Sequence, residues 1–274
     1  MNSTLRLRIG NQTSFAAVRI LEPFEFALAH GFAAFEFFPD RGFSGQSGWD
    51  ERELDGPARD DIKRVAAARD LTLTVHAPLA FDPLREPESD RLYSTVELAG
   101  GIGAKLVNLH LDLSQGPDRF VEALGPALRA TAEAGLQLTL ENTVFTSPDD
   151  FNCFFAALHR RPVRPTAHVG MCFDLGHANL CAATRNDYWR FLDQLSERVP
   201  IHHLHLHENH GDWDSHLTLF TGPAGENARG MEGVLERLAR RGFSGCAILE
   251  QWPQPPSLLV RARDRLLQLL DARF

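Results

Sequence analysis

Five apolar runs in this chain each end on a side chain able to bind a metal ion or move a proton. The run LTLTV ends at His76, KLVNL at His110, LQLTL at Glu141, VGMCF at Asp174 and CAIL at Glu250. His177 follows Asp174 by three residues, and a sixth run, His202 to His207, carries His205 near its end. Imidazole and carboxylate donors together suit Zn, Mn, Fe or Co better than Ca or Mg, which favour all-oxygen shells. Asp214 and His216 stand one residue apart in the loop that follows. In an extended segment residues two apart point the same way, so both can reach one ion. Composition singles out the same region, because six of the 12 histidines lie between His202 and His216. One histidine after a strand is ordinarily a cap or a solvated loop residue, and His30, His159 and His168 read that way. Repetition at six junctions does not. Period-two alternation puts His203, His205 and His207 on one face and Leu204 and Leu206 on the other, with the leucines toward covering helices.

Such side chains need a frame that brings separate segments together. Strand-like runs occur at Leu5–Ile9, Ala33–Phe38, Leu71–Val75, Leu106–Leu111, Leu136–Leu140, Val169–Phe173, His202–His207 and Cys246–Leu249. Between them lie stretches of helical spacing, among them Pro57–Arg69, Asp90–Gly100, Arg119–Ala134, Asp187–Arg198, Met231–Arg241 and Ser257–Phe274. Pro57 suits a first helical turn, Gly135 and Gly242 suit helix ends, and Ser257 is a candidate cap. Strands alternating with helices imply a parallel sheet. Eight units in 274 residues is about 34 per unit, which fits a closed (β/α)8 TIM barrel occupying residues 1–274 as one domain. Its strands would converge with their C-terminal ends on one mouth, where active sites of such barrels are built. A doubly wound sheet would carry a Gly-rich fingerprint after its first strand. That junction reads IGNQTSF, and the GGIGA run at Gly100–Ala104 precedes a strand and reads as a helix stop.

Charge narrows the partners. With 28 basic against 36 acidic residues the net charge is −8, and Lys63 and Lys105 are the only lysines. There is no electrostatic footprint for nucleic acid or an anionic membrane. Arg41, Arg52 and Arg59 are the best candidates for phosphate contacts, but Asp40, Glu51, Glu53 and Asp60 interleave with them and favour a solvated mixed surface. Cys153, Cys172, Cys181 and Cys246 form no C-x-x-C pair and read as reduced thiols. The first residues lack the apolar run of a signal peptide, and no stretch approaches the roughly 18 apolar residues of a membrane span. A cytoplasmic location is the expectation. A Schiff-base mechanism lacks its strand-end lysine: Lys105 begins a strand and Lys63 sits in a helix. The GFSGQSG stretch around Ser44 and Ser47 has the wrong spacing for a nucleophile elbow.

The stretches TVHAPL, VNLHLD, LTLENT, CFDLGHANL, HLHLHENHGDWDSH and AILEQW resemble a divalent-metal TIM-barrel superfamily. That superfamily joins xylose isomerase-like sugar isomerases and epimerases with the endonuclease IV (AP endonuclease family 2) nucleases. The resemblance runs from the FEFF of the second strand to the LEQW of the eighth. It implies that Glu141, Asp174, His205 and Glu250 match the ligands of a one-metal epimerase site. Adding His76, His110, His177, Asp214 and His216 gives a set similar to the three-zinc site of the nuclease. The loops differ from the nuclease pattern. ENT continues as VFTSPDD instead of Ala-Gly-Gln-Gly. Gly176 stands where a Cys usually precedes the histidine. HLHENHG replaces His-Leu-Asn-Asp-Ser/Ala-Lys, Asp214-Ser215-His216 replaces Asp-Arg-His, and GPAG replaces Gly-Glu-Gly. The lysine and arginine so removed are groups that could contact phosphate.

Two activities follow as expectations. The first is a sugar or sugar-phosphate isomerase or epimerase using one to three divalent ions, Zn or Mn foremost. The ion would stabilise a developing enediolate as a Lewis acid, while Glu141 and Glu250 exchange the proton as base and acid. Glu36, His207 and Trp252 are the expected substrate-facing residues. The second is metal-assisted phosphoester hydrolysis, because nine ligands exceed what one ion uses. A non-catalytic metal-binding barrel is the remaining alternative. A small-molecule partner is expected, with nucleic acid disfavoured and no membrane.

Overall fold

The computed structural model describes residues 5–41, 48–161, 166–227 and 229–274. Ser44 and Ser47 lie outside the described residues. Eight strands run in parallel: β1 (Arg8–Gln12), β2 (Ala34–Phe37), β3 (Thr72–His76), β4 (Leu106–His110), β5 (Gln137–Glu141), β6 (Val169–Asp174), β7 (Ile201–Leu206) and β8 (Cys246–Leu249). Each pairs with the next in sequence, and β8 pairs back onto β1 to close the barrel. Helices fill the crossovers. They are α1 (Glu22–Ala29), α2 (Gly56–Ala68), α3 (Asp90–Ile102), the pair α4 (Pro117–Ala123) and α5 (Gly125–Glu133), and α6 (Pro148–Arg160). The second half adds α7 (Leu175–Leu180), α8 (Arg190–Gln194), α9 (Pro223–Glu226), α10 (Arg229–Arg240) and α11 (Ser257–Arg273). Among the described residues no helix is long and apolar enough to cross a membrane.

Strand alternation separates two interiors. Phe35, Phe37, Leu73, Val75, Leu138, Leu140, Leu204 and Leu206 join the apolar layer under the helices. The intervening residues fill the barrel with hydrogen-bonded polar groups: Thr74 Oγ1 donates to Glu36 at 2.8 Å and Thr139 Oγ1 to Asn108 Oδ1 at 2.8 Å. His203 and His205 share this inner face, as their spacing predicts. Aromatic edges lock the helical layer, with Phe120 of α4 against Phe154 of α6 at 5.9 Å and Phe173 of β6 against Phe191 of α8 at 5.7 Å.

Three local expectations are corrected. The first strand runs over Arg8–Gln12 and not Leu5–Ile9, because the residues that pair with β2 are Gly10, Asn11 and Gln12, which no apolar pattern flags. A Cβ on Gly10 would lie 2.3 Å from the Ala34 carbonyl oxygen, so the β1–β2 approach depends on glycine there. The helix expected over Arg119–Ala134 is broken at Leu124–Pro126, where Pro126 has no N–H to continue the ladder. The helix expected over Asp187–Arg198 shortens to α8 because Asn152 of α6 captures its end: it accepts from Ser196 N at 2.7 Å and donates to Gln194 O at 3.0 Å. Ser257 opens α11 but makes no capping bond. Gly103, Gly135 and Gly242 all adopt positive φ at helix ends.

Candidate metal centre

The C-terminal ends of the strands deliver their donors in three groups. Glu141, Asp174, His205 and Glu250 form the central one, from β5, β6, β7 and the residue after β8. His76, His110 and Glu141 form a second, sharing Glu141. His177, Asp214, His216 and also His207 form the third. Within each group the potential ligand atoms lie within 4.8 Å of one another. All nine residues expected as ligands are therefore brought together, and His207 joins them. The latter differs from the expectation: His207 is fully buried among the donors and lines neither mouth cavity. Its ring stacks on His216 with centroids 3.8 Å apart, and its Nε2 lies 3.1 Å from Asp174 Oδ2. Space for it comes from Gly176, where a Cβ would lie 2.0 Å from Cε1 of His207.

The histidines are oriented from behind. A carbonyl oxygen only accepts, so a ring nitrogen bonded to one must carry the proton. His76 Nδ1 donates to Ala77 O at 2.6 Å, His177 Nδ1 to Asn142 O at 2.8 Å and His216 Nδ1 to Glu250 O at 3.2 Å. In each the Nε2 then faces a carboxylate: Glu141 for His76, and Asp214 for His177 and His216. His205 is reversed. Its Nε2 donates to Glu36 at 2.8 Å, and Nδ1 faces Glu141 at 3.1 Å and Glu250 at 3.4 Å. Ligating histidines are ordinarily held in this way by a second hydrogen bond.

Glu36 is the second residue placed deeper than expected. It lies wholly inside the barrel below the donors, where it accepts from His203, His205 and Thr74, and it lines neither mouth cavity. Cys172, His203 and His205 also cluster. Burial pushes the Cys172 thiol well above its usual range, and Nε2 of both histidines is already engaged with Glu36, so this group is a poor metal site.

The fit to cations is direct. Glu141 Oε1, Asp174 Oδ2, His205 Nδ1, Glu250 Oε2, Asp214 Oδ1 and both His207 nitrogens are buried without a hydrogen-bond partner. Buried polar atoms are almost always paired, and this concentration of unpaired acceptors suits bound divalent ions. Burial pushes the Glu141 carboxyl up, but the charge of His205 and the nearby imidazoles of His110 and His177 outweigh it and hold it well below the usual range. Burial also opposes ionisation of Glu250, and His205 with His216 overcomes it in the same direction. His216 is pushed down by burial and up by Asp214 and the Glu250 and Asp174 charges, reaching about 9.

Above the donors the mouth opens into two cavities that share His110, His177, Asp214 and Leu79. Glu250 and Trp252 line the first; the Trp252 ring packs edge-on against Phe26 at 5.4 Å. The arginines considered for phosphate are engaged elsewhere: Arg41 with Glu53, Arg52 with Asp50 at 2.7 Å and Arg59 with Glu97 at 3.0 Å.

Residues 24–269 match the family model of the xylose isomerase-like TIM barrel. The chain belongs to that family. Solved structures similar to this chain include an epimerase-like protein and an endonuclease IV. A D-tagatose 3-epimerase-like protein superposes with a TM-score of 0.72 at 18% identity, covering 97% of this chain and 98% of that one. Endonuclease IV from Thermus thermophilus gives 0.64 at 21%, covering 95% and 99%. At these identities the likeness is one of fold. Uncharacterized protein MJ1614 of Methanocaldococcus jannaschii is 26% identical over 172 residues, which is 58% of this chain and 64% of that protein. The chain thus spans less than two thirds of the length of this curated relative.

Proposed function

We propose that the protein is a divalent-metal-dependent isomerase or epimerase acting on a sugar or sugar phosphate. The observation that carries this reading is the central four-donor group, in which Glu141 and Glu250 both converge on Nδ1 of His205 while Glu250 also lines the mouth cavity. A divalent ion held by Glu141, Asp174, His205 and Glu250 supplies Lewis-acid polarisation of the sugar carbonyl. Both carboxylates are held ionised by the surrounding histidines, which leaves each unprotonated but a weaker base than an ordinary carboxylate. Glu250, facing the cavity, takes the proton from the carbon beside the carbonyl. Glu141 is the second carboxylate of the pair, and the proton returns to the opposite face or to the neighbouring carbon. Glu36 fixes His205, and the carbonyls of Ala77, Asn142 and Glu250 fix the other rings, so the donors are set before substrate arrives.

A second reading, phosphoester hydrolysis, is favoured by one observation: the three donor groups link through Glu141 and adjacent carboxylates and suit more than one ion. Metal content separates the two, with one Mn, Co or Zn per chain fitting the isomerase and two or three zinc ions the hydrolase. The direct test is solvent-deuterium incorporation into a panel of ketoses and their phosphates by the metal-loaded protein, beside an abasic-site duplex. Deuterium at the carbon next to the carbonyl, with no nicking above a metal-only control, is the expected result. Robust nicking without exchange would transfer the assignment to the hydrolase.

A further inference from the structure

We infer that Glu208 is a positioning residue for the third donor group: its buried carboxylate fixes the loop that carries Asp214 and His216. The inference concerns how that group is held, so zinc in excess is its probe and turnover is not. Glu208 lies just beyond β7, is fully buried, lines neither mouth cavity and belongs to none of the donor groups. A buried carboxylate needs hydrogen-bond partners. Those of Glu208 come mostly from the far limb of the loop it begins.

That loop is not held by packing where its donors stand. No residue from Asp212 to Leu217 is buried, and Trp213 is exposed. His216 and Phe220 both adopt positive φ, at 44° and 69°. Residues with a side chain keep that conformation only where their surroundings impose it. Glu208 supplies the constraint. Its backbone exchanges two hydrogen bonds with Leu217, each at 2.8 Å, which registers the residue after His216 against the end of β7. Its side chain then takes the return limb. Oε1 accepts from Phe220 N, and Oε2 accepts from Ala224 N at 2.9 Å and from the Tyr188 hydroxyl at 3.4 Å. Gly222 permits this approach, because a Cβ there would lie 2.7 Å from Oε2. The outgoing limb is tied separately by Asn209, which accepts from Gly211 N at 3.0 Å and donates to Gly176 O at 2.8 Å. Between these anchors Asp214 Oδ2 is set 3.3 Å from Nε2 of both His216 and His177.

The test is Glu208→Gln. A glutamine keeps the shape but has one acceptor oxygen, so its NH2 must face the N–H of either Phe220 or Ala224. Zinc titration of the full chain against a chromophoric chelator reads the effect, and His216→Ala identifies which binding phase belongs to the third group. Glu208→Gln is expected to weaken that phase about 10–100-fold, as loss of an outer support does, and to leave the other phases within about twofold. Equal weakening of every phase would make Glu208 a general structural residue and overturn the inference. An unchanged third phase in a folded Glu208→Gln protein would overturn it as well. So would a His216→Ala protein that loses no ion, because the third group would then hold none; the isomerase reading, which rests on the central group, would stand. Amide exchange in the metal-free parent needs no variant to fold. The Phe220 and Ala224 amides are expected to be protected at least about 100-fold relative to an unstructured chain. Exchange within about tenfold of the unstructured rate would show that Glu208 does not hold the loop in advance of metal, and the inference would fall.

Discussion

Replacing Glu36 by Gln isolates the orientation of His205 from the metal ligands themselves. Glu36 accepts from His203 Nε2 at 2.9 Å, His205 Nε2 at 2.8 Å and Thr74 Oγ1 at 2.8 Å, all inside the barrel. The glutamine amide keeps the shape but can accept at only one of its two heads. The imidazole facing its NH2 must present a lone pair at Nε2 and carry its proton on Nδ1. For His205 that proton would point at Glu141 and Glu250, where a metal ion needs the lone pair. Loss of such a supporting bond typically weakens metal affinity about 10–100-fold, equivalent to about 1.4–2.8 kcal/mol. In a chain of this size the metal-induced rise in Tm should shrink by roughly 3–10 °C. Competition with a chromophoric chelator gives the affinity, and thermal melts with and without Zn give the Tm gain. Far-UV circular dichroism checks that the barrel persists. A folded Glu36→Gln protein whose Zn affinity stays within about twofold of the parent would refute the orienting role, since the expected loss is at least about 10-fold.

Glu141→Gln and Glu250→Gln should each lower deuterium exchange by about 10²–10⁴-fold with an unchanged circular dichroism spectrum; near-full exchange in either removes that residue from proton transfer. His216, held at about 9 against its ordinary 6.5, must lose its proton to ligate. Zn loading of the third group should therefore rise as pH increases toward 9 and fall below it, and a flat loading profile between pH 6 and 9 would contradict the pairing with Asp214. In the metal-free protein the sign is opposite: the raised pKa contributes stability below pH 6.5 that is lost as pH rises through about 9, readable from urea midpoints. Gly10→Ala should destabilise the barrel by about 1–3 kcal/mol, because the new methyl meets the Ala34 backbone; an unchanged urea midpoint would show that β1 can move aside.

The barrel was legible because its strands are apolar on the face beneath the helices, and that face alone sets a readable period. The inner face is polar, which is why β1 was misplaced by three residues: Gly10, Asn11 and Gln12 are strand interior without looking it. The donors were legible because every one sits at a strand end or shortly beyond. Glu36 and His207 lie on the correct face, but depth along the barrel axis is set by strand stagger, which no single segment encodes. The breaks in the helical layer depended on distant partners, as when Asn152 of α6 fixes the end of α8.

Gly176 and His207 come from different strand–loop junctions, yet they share one volume, since a methyl at 176 would overlap the imidazole at 207. Both are departures from the nuclease motifs, at the positions of a cysteine and an asparagine. The overlap makes them a single exchange. No side chain can be restored at 176 while the ring remains, and a ring at 207 cannot be accommodated until 176 has lost its side chain. In related chains the two positions should therefore change in concert, and residue 176 alone should forecast whether a fourth donor stands beside Asp214.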